Sequence, residues 1–230
     1  MAELFPTRLR CSTENWSLQN SARSGGQSFQ GAQQFVASPT SRWRAKMTFH
    51  LLDDDDYLEA RGFIAGLAGQ STPFLIGPYD YRGQPWNVFP ITGQPITPDV
   101  AARNAAVSPG FSVNPDTNGA ISFALAADAA MNATTIRISK ARGGTVKRGQ
   151  YLSIGDRLHV IVSPVSDPGP SGVVDIAVRP WLRADYGAGT PVSFDAPRCL
   201  MRLADGDTAA FDMTTSPLSD VTLDLIEAFV

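Results

Sequence analysis

The sequence predicts a mainly β protein, in which a β-sandwich belt domain with one α-helix carries an inserted small β-barrel. Apolar and polar residues alternate from Trp43 to Leu51, which is the pattern of a strand with one buried face. Several shorter alternating segments lie between 120 and 194, separated by turn sequences. The 20 glycines and 17 prolines are spread along the chain, which favours many turns and short strands over long helices.

The belt domain is organised around the Trp43 strand and the segment that follows it. Tyr57, Ala60, Ile64 and Leu67 recur at helical spacing, which predicts a helix with one apolar face. Pro73 disfavours helical backbone before it, so the chain is expected to become extended again there. The frame of the domain is therefore strand, helix, strand.

The chain before this frame is polar and contains a Ser-Gly-Gly sequence at 24–26. Such a sequence is typical of a turn. Residues 16–18 and 29–36, which flank it, are predicted to be the two strands of a hairpin.

Residues 77–119 combine aromatic residues with many prolines and glycines. Loops of this length are usually functional or disordered, and scattered aromatic residues argue against simple disorder. We expect an ordered arm that lies over its own surface or over that of a neighbour. Its candidate contacts between subunits or with partners are Tyr79, Tyr81, Trp86 and Phe89.

Residues 120–196 are predicted to form the inserted barrel. Apolar residues share a face in three segments, namely Ile136 with Ile138, Leu158 with Val160 and Val162, and Val174 with Ile176 and Val178. Turn sequences rich in Gly and Pro separate these segments, at 142–144, 154–156, 167–170 and 187–189. Short strands at this spacing fit a small closed barrel.

Alternation returns after the barrel, and the chain ends on Val221, Leu223 and Leu225. An apolar, strand-like terminus is unusual for a free tail, so it is expected to complete a sheet begun near the N terminus. The predicted domains are the belt at 1–76 and 197–230, the arm at 77–119 and the barrel at 120–196. The predicted belt core consists of Trp43, Met47, Phe49, Ile64, Leu67, Leu223 and Leu225.

Composition and charge argue against several classes of protein. A net charge of −3 is unlike that of a dedicated nucleic-acid-binding protein, which is strongly basic. No apolar run approaches the roughly 20 residues that span a bilayer, and the start of the chain has no signal-peptide pattern. The two cysteines, Cys11 and Cys199, are too few for a disulfide framework, so a reducing compartment is expected.

The acidic run from Asp53 to Asp56 has two interpretations. Clustered carboxylates suit Ca²⁺, but an EF-hand loop needs an acidic or amide residue at its fifth position and Gly at its sixth. This chain has Tyr57 and Leu58 there. The interpretation that we favour is that the run caps the N terminus of the predicted helix and complements its dipole.

No catalytic pattern stands out. The chain lacks the G-x-S-x-G, H-E-x-x-H, Walker and G-x-G-x-x-G motifs. His50 and His159 alternate with apolar residues in predicted strands, so both are expected to face solvent. Asp205 and Asp207 could form a glycosidase pair, although acidic residues in a Gly-containing turn are usually turn formers. We therefore predict no enzyme, no cofactor and no metal site.

Basic residues surround the Gly-Gly turn of the barrel, namely Lys140, Arg142, Lys147 and Arg148. Barrels that bind single-stranded nucleic acid combine such charges with stacking aromatic residues, and Tyr151 is the only aromatic residue near these four in sequence. A solvated hairpin tip is therefore favoured over nucleic-acid binding.

The barrel segment carries three short motifs in a fixed order. Residues 149–160 read GQYLSIGDRLHV, residues 178–183 read VRPWLR, and residues 189–192 read GTPV. This order resembles a module of tail proteins from long-tailed bacteriophages, in which "kkGQ-sIGdrLy-V" leads to a "v-P-LR" strand and then to "g--V". Residues 200–203, LMRL, resemble the return strand of that family. The arrangement of the first half is similar to distal tail proteins, which have a β-sandwich belt with one helix and a separate β domain.

The resemblance implies a distal tail, or tail hub, protein of a phage or a phage-like gene transfer particle. Such proteins form a ring, typically a hexamer, that joins the tail tube to the tail tip or baseplate and surrounds the channel for DNA ejection. The implied partners are further copies of the chain, the tail tube protein, the tip protein and a fibre or accessory protein. Neither a membrane nor sequence-specific nucleic acid is implied. The implied location is the virion tail, after synthesis and assembly in the host cytoplasm.

Two other classes of function stay open. A module that binds carbohydrate or the host surface is favoured by the small barrel and by the aromatic residues at 77–98. A cell-wall hydrolase is disfavoured, because the chain lacks the catalytic motifs named above.

Overall fold

The computed structural model describes residues 2–19, 22–27, 33–37, 40–79, 87–88, 95–96, 121–163, 165, 172–205 and 219–229. The chain divides into two compact units. The sheet unit comprises Met1–Tyr79 and Arg198–Val230, and the barrel unit comprises Asp80–Pro197. The described residues are mainly β, with one helix, a closed barrel and a separate mixed sheet, which confirms the predicted mainly β fold class.

The elements follow the chain in this order. The sheet unit contains β1 (Glu3–Leu4), β2 (Arg10–Gln19), β3 (Ala22–Gln27), β4 (Gln33–Ala37), β5 (Arg42–Leu51), α1 (Asp54–Gly66), β6 (Phe74–Ile76), β15 (Cys199–Leu203) and β16 (Ser219–Glu227). The barrel unit contains β7 (Asn87–Val88), β8 (Pro95–Ile96), β9 (Ser122–Leu125), β10 (Thr135–Arg142), β11 (Tyr151–Ile154), β12 (Arg157–Ile161), β13 (Val173–Arg179) and β14 (Pro191–Ser193).

Six strands of the sheet unit form one mixed sheet in the order β1-β6-β15-β16-β5-β2. Along β5 the residues alternate between a buried face and a polar face, as the sequence predicts. The C-terminal strand β16 lies between β15 and β5, so the end of the chain completes the sheet. Leu223 pairs with Met47 and Leu225 with Ala45, and all four side chains are buried.

Helix α1 contacts the buried face of this sheet through an aromatic cluster. The ring of Phe63 lies 5.2 Å from those of Phe5 and Phe74, edge to face in both pairs. The ring of Phe5 lies 4.6 Å from that of Phe49 on β5. Aromatic rings at these separations add to the free energy gained from apolar burial, so the cluster joins the helix, the N-terminal segment and two strands.

The buried face of α1 differs from the predicted one. The residues buried along it are Asp56, Ala60, Phe63 and, at the C-cap, Leu67. Tyr57 and Ile64, which the helical spacing assigns to this face, are only partly buried. The face is rotated because Asp56 is held in it by Arg8 and by the backbone N–H of Leu52.

β3 and β4 form a two-stranded ribbon, and the predicted hairpin is wrong in its pairing. Residues 16–18 pair with β5, whereas β4 pairs with β3. The Ser-Gly-Gly sequence at 24–26 lies within β3, where the register shifts between Ser24 and Gln27. Glycine inside a strand often marks a bulge, which explains why a turn signal occurs in a strand.

Six strands of the barrel unit close into a barrel in the order β10-β13-β12-β11-β14-β9, with antiparallel pairing throughout. Its core contains Ile136 and Ile138 of β10 and Ile176 and Val178 of β13, as predicted. Val174 is partly buried against the same core. The pairing of β10 with β13 therefore follows from the apolar faces of the two strands.

β12 is the barrel strand whose inward face the sequence predicts wrongly. His159 pairs with Leu152 of β11, and Ile161 pairs with Val178 of β13. Leu152, Ile161 and Val178 belong to the core, so His159 and Ile161 are on the inward face of β12. The predicted face, which includes Leu158, is the outward one. Leu158 is nevertheless fully buried, so both faces of β12 carry buried residues and apolar alternation cannot identify the inward one.

Candidate interaction surfaces

The second face of the sheet is polar and solvated. Across β5 and β16, Lys46 pairs with Asp224, Thr48 with Thr222 and His50 with Asp220. The two threonine hydroxyls are 3.0 Å apart, and His50 is hydrogen-bonded to Asp220. His50 is exposed, as predicted. Opposite charges that face each other across strands stabilise the pairing, so these groups are accounted for by the sheet itself.

The outer edge of β2 is the longest open strand edge among the described residues of the sheet. β2 has ten residues and pairs with β5 on one side, and no described strand pairs with its other side. Trp16 and Leu18 on its inward face stay partly exposed, whereas Trp43 on β5 is 3% exposed. Open edges are templates for pairing with another chain, and proteins often protect them with Lys or Pro. β2 contains neither, although its register shifts between Cys11 and Thr13.

Glu14, on the inward face of β2, accepts hydrogen bonds from Trp16 of the same strand and from Tyr79. Its Oε2 accepts a hydrogen bond from Nε1 of Trp16 at 3.1 Å and from the backbone N–H of Tyr79 at 2.9 Å. The ring of Tyr79 lies 6.2 Å from that of Phe49, edge to face. Tyr79, a predicted partner contact, thus packs within its own sheet unit. The other predicted contacts lie outside the described residues: Tyr81, Trp86 and Phe89.

The acidic run supplies the cap and the first turn of α1, as we favoured. Asp53 is the N-cap residue, and its Oδ1 accepts a hydrogen bond from the backbone N–H of Asp56 at 2.8 Å. Arg8 donates from Nη2 to Asp53 and from Nε to Asp56, with distances of 2.6–3.0 Å. These bonds to Arg8 lower the pKa of Asp56. In the described part of the chain, no group of three His, Cys, Asp or Glu side chains could hold a metal ion.

His159 is fully buried, so the prediction that it faces solvent is wrong. Its Nδ1 lies 2.9 Å from the carbonyl oxygen of Pro180. Because a carbonyl can only accept, Nδ1 carries the proton and Nε2 does not. Nε2 has no hydrogen-bond partner among the described residues. Burial lowers the pKa of His159 to about 4, so the ring is neutral at pH 7.

The three barrel motifs occupy positions that the barrel itself requires. Gly149 and Gly155 have φ of +90° and +57°, which side chains strongly disfavour. Gln150 is 4% exposed, and its Oε1 accepts from the backbone N–H of Lys147 at 2.7 Å. Leu182 of the second motif is fully buried in the core. These residues of the first two motifs therefore have structural roles in the barrel.

Neither cysteine is placed to act as a nucleophile. Cys199 is fully buried. Cys11 is half-buried, and this burial, followed by the charge of Glu14, raises the pKa of its thiol to about 11. The thiolate is the reactive form, and a raised pKa keeps the thiol of Cys11 protonated near pH 7. Neither cysteine forms a disulfide.

The remaining candidates also fall short of a site. Lys140 is buried, with its Nζ 3.5 Å from the carbonyl oxygen of Gly144, so the predicted solvated tip is wrong for this residue. Lys147 and Arg148 are exposed. Asp207 lies outside the described residues, so the structure does not test the predicted pair of Asp205 and Asp207.

No family model matches the chain, and no curated protein matches it either. None of the helical segments in the described ranges has the length and apolar character needed to cross a membrane. The fold therefore defines a mainly β protein with a six-stranded mixed sheet and a closed six-stranded barrel. Its most open described feature is the edge of β2.

Proposed function

We propose that this chain is a structural, non-enzymatic protein of a phage or phage-like tail. In this proposal it assembles into a ring, most simply a hexamer, between the tail tube and the tail tip or baseplate. The observation that carries the proposal is a pairing of two features. The barrel carries three motifs whose order resembles that of a module in phage tail proteins, and the barrel unit interrupts a sheet made from both ends of the chain.

The surfaces of the two units are consistent with this role. A ring closed by one repeated contact needs two different surfaces on each subunit, because its contacts run head to tail. The sheet unit offers an open edge at β2 and, elsewhere, the β3–β4 ribbon. A closed barrel has no free edge, so it can be exposed on an assembly without inviting strand pairing. Binding would use backbone hydrogen bonds and apolar contacts, with no cofactor.

Native mass spectrometry of the purified full chain, with negative-stain images of the same sample, tests the proposal. The expected result is one oligomer of defined mass that appears as a closed ring with a central hole. A chain that stays monomeric at every soluble concentration, and also when mixed with a tail tube protein, would refute the ring.

Carbohydrate binding by the barrel is the alternative outcome. The aromatic side chains in the described part of the barrel are each buried or partly buried, which leaves few flat surfaces for sugar rings: Phe123, Tyr151, Trp181, Tyr186 and Phe194. A monomer that binds a defined glycan on an array would favour this alternative.

A further inference from the structure

We propose that the β3–β4 ribbon of one copy pairs with the open edge of β2 in a neighbouring copy of the chain. This inference rests on the proposed ring and identifies the contact that closes it. It joins two elements that each have a side on which no described strand pairs.

The first element is the ribbon. β3 and β4 pair with each other, and no other described strand pairs with either of them. An isolated two-stranded ribbon is marginally stable at best in water, and three or more strands, or packing against a helix, give a sheet independent stability. A third strand on one side of the ribbon would stabilise it.

The second element is β2, whose outer backbone groups face no described strand along its ten residues. Neither β2, β3 nor β4 contains Pro, so every backbone N–H in them can donate a hydrogen bond. The charged residues in the three strands are Arg10, Glu14 and Arg23. Charge repulsion between the ribbon and β2 is therefore small, and backbone pairing would carry the contact, as it does in strand addition to other sheet edges.

The ribbon does not pair with the β2 edge of its own copy. The ladder of β2 with β5 ends at the pair Gln19–Arg42, and the ladder of β3 with β4 begins at the pair Ala22–Ala37. β3 therefore follows β2 along the chain and β4 precedes β5, but neither β3 nor β4 pairs with β2. A second copy of the chain is the source of a ribbon for this edge that the proposed ring supplies. A contact between ribbon and edge joins unlike surfaces, as a ring requires.

Cysteine cross-linking of the full chain tests this contact. Asn15 is exposed on β2, and Gln34 is the second of the five residues of β4. Asn15→Cys and Gln34→Cys are made singly and together, with Cys11→Ser in each, and are treated with a bis-maleimide of about 10 Å, roughly the separation across two strand spacings. The double variant should give a ladder of covalent oligomers. Two differently tagged single variants, co-expressed, should give a covalent dimer that contains one of each.

Each single variant alone should give no dimer. The matched control combines Gln34→Cys with Asp156→Cys, at the exposed turn between β11 and β12, and it should not cross-link. A dimer of Asn15→Cys alone would overturn the inference in favour of pairing between two β2 strands. A ring seen by native mass spectrometry without the expected cross-link would overturn this contact and leave the ring proposal standing. A monomer in both measurements would overturn both.

Discussion

Acid should destabilise the barrel through one buried side chain, His159. Its ring is fully buried and its pKa is about 4 in the folded chain, against an ordinary value of 6.5. Above pH 6.5 the ring is neutral in the folded and the unfolded chain, so its contribution to stability is fully present. As the pH falls from 6.5 to 4, the unfolded chain binds a proton that the folded barrel excludes, and stability is lost. A tenfold difference in proton affinity is worth about 1.4 kcal/mol, so the whole loss is about 3 kcal/mol.

Urea denaturation at a series of pH values, followed through isoleucine methyl signals in NMR spectra, measures this loss for each unit. Ile138 and Ile176 report on the barrel core, and Ile76 reports on the sheet unit. The variant His159→Gln removes the titrating group and keeps all carboxylates. The difference between the wild-type and variant curves therefore isolates the histidine.

The free energy of unfolding of the barrel should fall by about 3 kcal/mol more in the wild type than in His159→Gln when the pH is lowered from 6.5 to 4. The signal of Ile76 should show no such difference. The matched control His50→Asn changes the exposed histidine and should leave the barrel curve as it is. Parallel wild-type and His159→Gln curves over this range would refute the reasoning, because they would mean that His159 binds a proton equally well in both states.

Three further predictions concern the sheet unit. Leu223→Ala should lower its stability by about 2–5 kcal/mol, because the side chain is fully buried between strands, whereas Asp224→Asn on the other face should change it by less than about 0.5 kcal/mol. If urea denaturation shows the same loss of stability for both variants, Leu223 and Asp224 are not on the buried and the polar face of β16 as assigned. Asp53→Ala removes the N-cap and should cost about 1 kcal/mol, and an unchanged urea midpoint would exclude the cap. Cys11 should react slowly with iodoacetamide at pH 7 and faster as the pH rises toward 11, whereas rapid reaction at pH 7 in the folded chain would contradict its raised pKa.

The sequence predicts those strands in which apolar residues alternate regularly with polar or charged ones. β5 alternates between apolar residues and residues such as Arg44 and Lys46, so its faces follow directly from the pattern. The same holds for Ile136 and Ile138 in the barrel, where the residues between them are polar. The chain terminus is also predictable, because Leu223 and Leu225 would be costly to expose.

The sequence does not predict features that depend on contacts between distant segments. Asp56 enters the buried face of α1 because Arg8, which is 48 residues away, neutralises it. Helical spacing alone assigns an acidic residue to solvent. His159 is buried where its Nδ1–H donates a hydrogen bond to the carbonyl oxygen of Pro180, which belongs to another segment. No local sequence pattern predicts the contact of Asp56 with Arg8 or that of His159 with Pro180.

The edge of β2 was missed for a different reason. Pairing decides which strands are central and which are outermost, and that order is a property of the whole sheet. The composition of residues 16–18 predicts a strand but does not indicate which strand it pairs with. In the structure their described neighbour is β5.

The central position of β16 has a consequence for biosynthesis. The barrel unit is a continuous segment, so it can fold as soon as Pro197 has left the ribosome. The sheet unit cannot complete its folding at that stage, because β16, which lies between β15 and β5, follows the barrel in the chain. Until Leu223 and Leu225 arrive, the apolar side of β5 at Met47 lacks the strand beside it. Chains cut short near the C terminus would therefore carry a finished barrel and an open, aggregation-prone sheet.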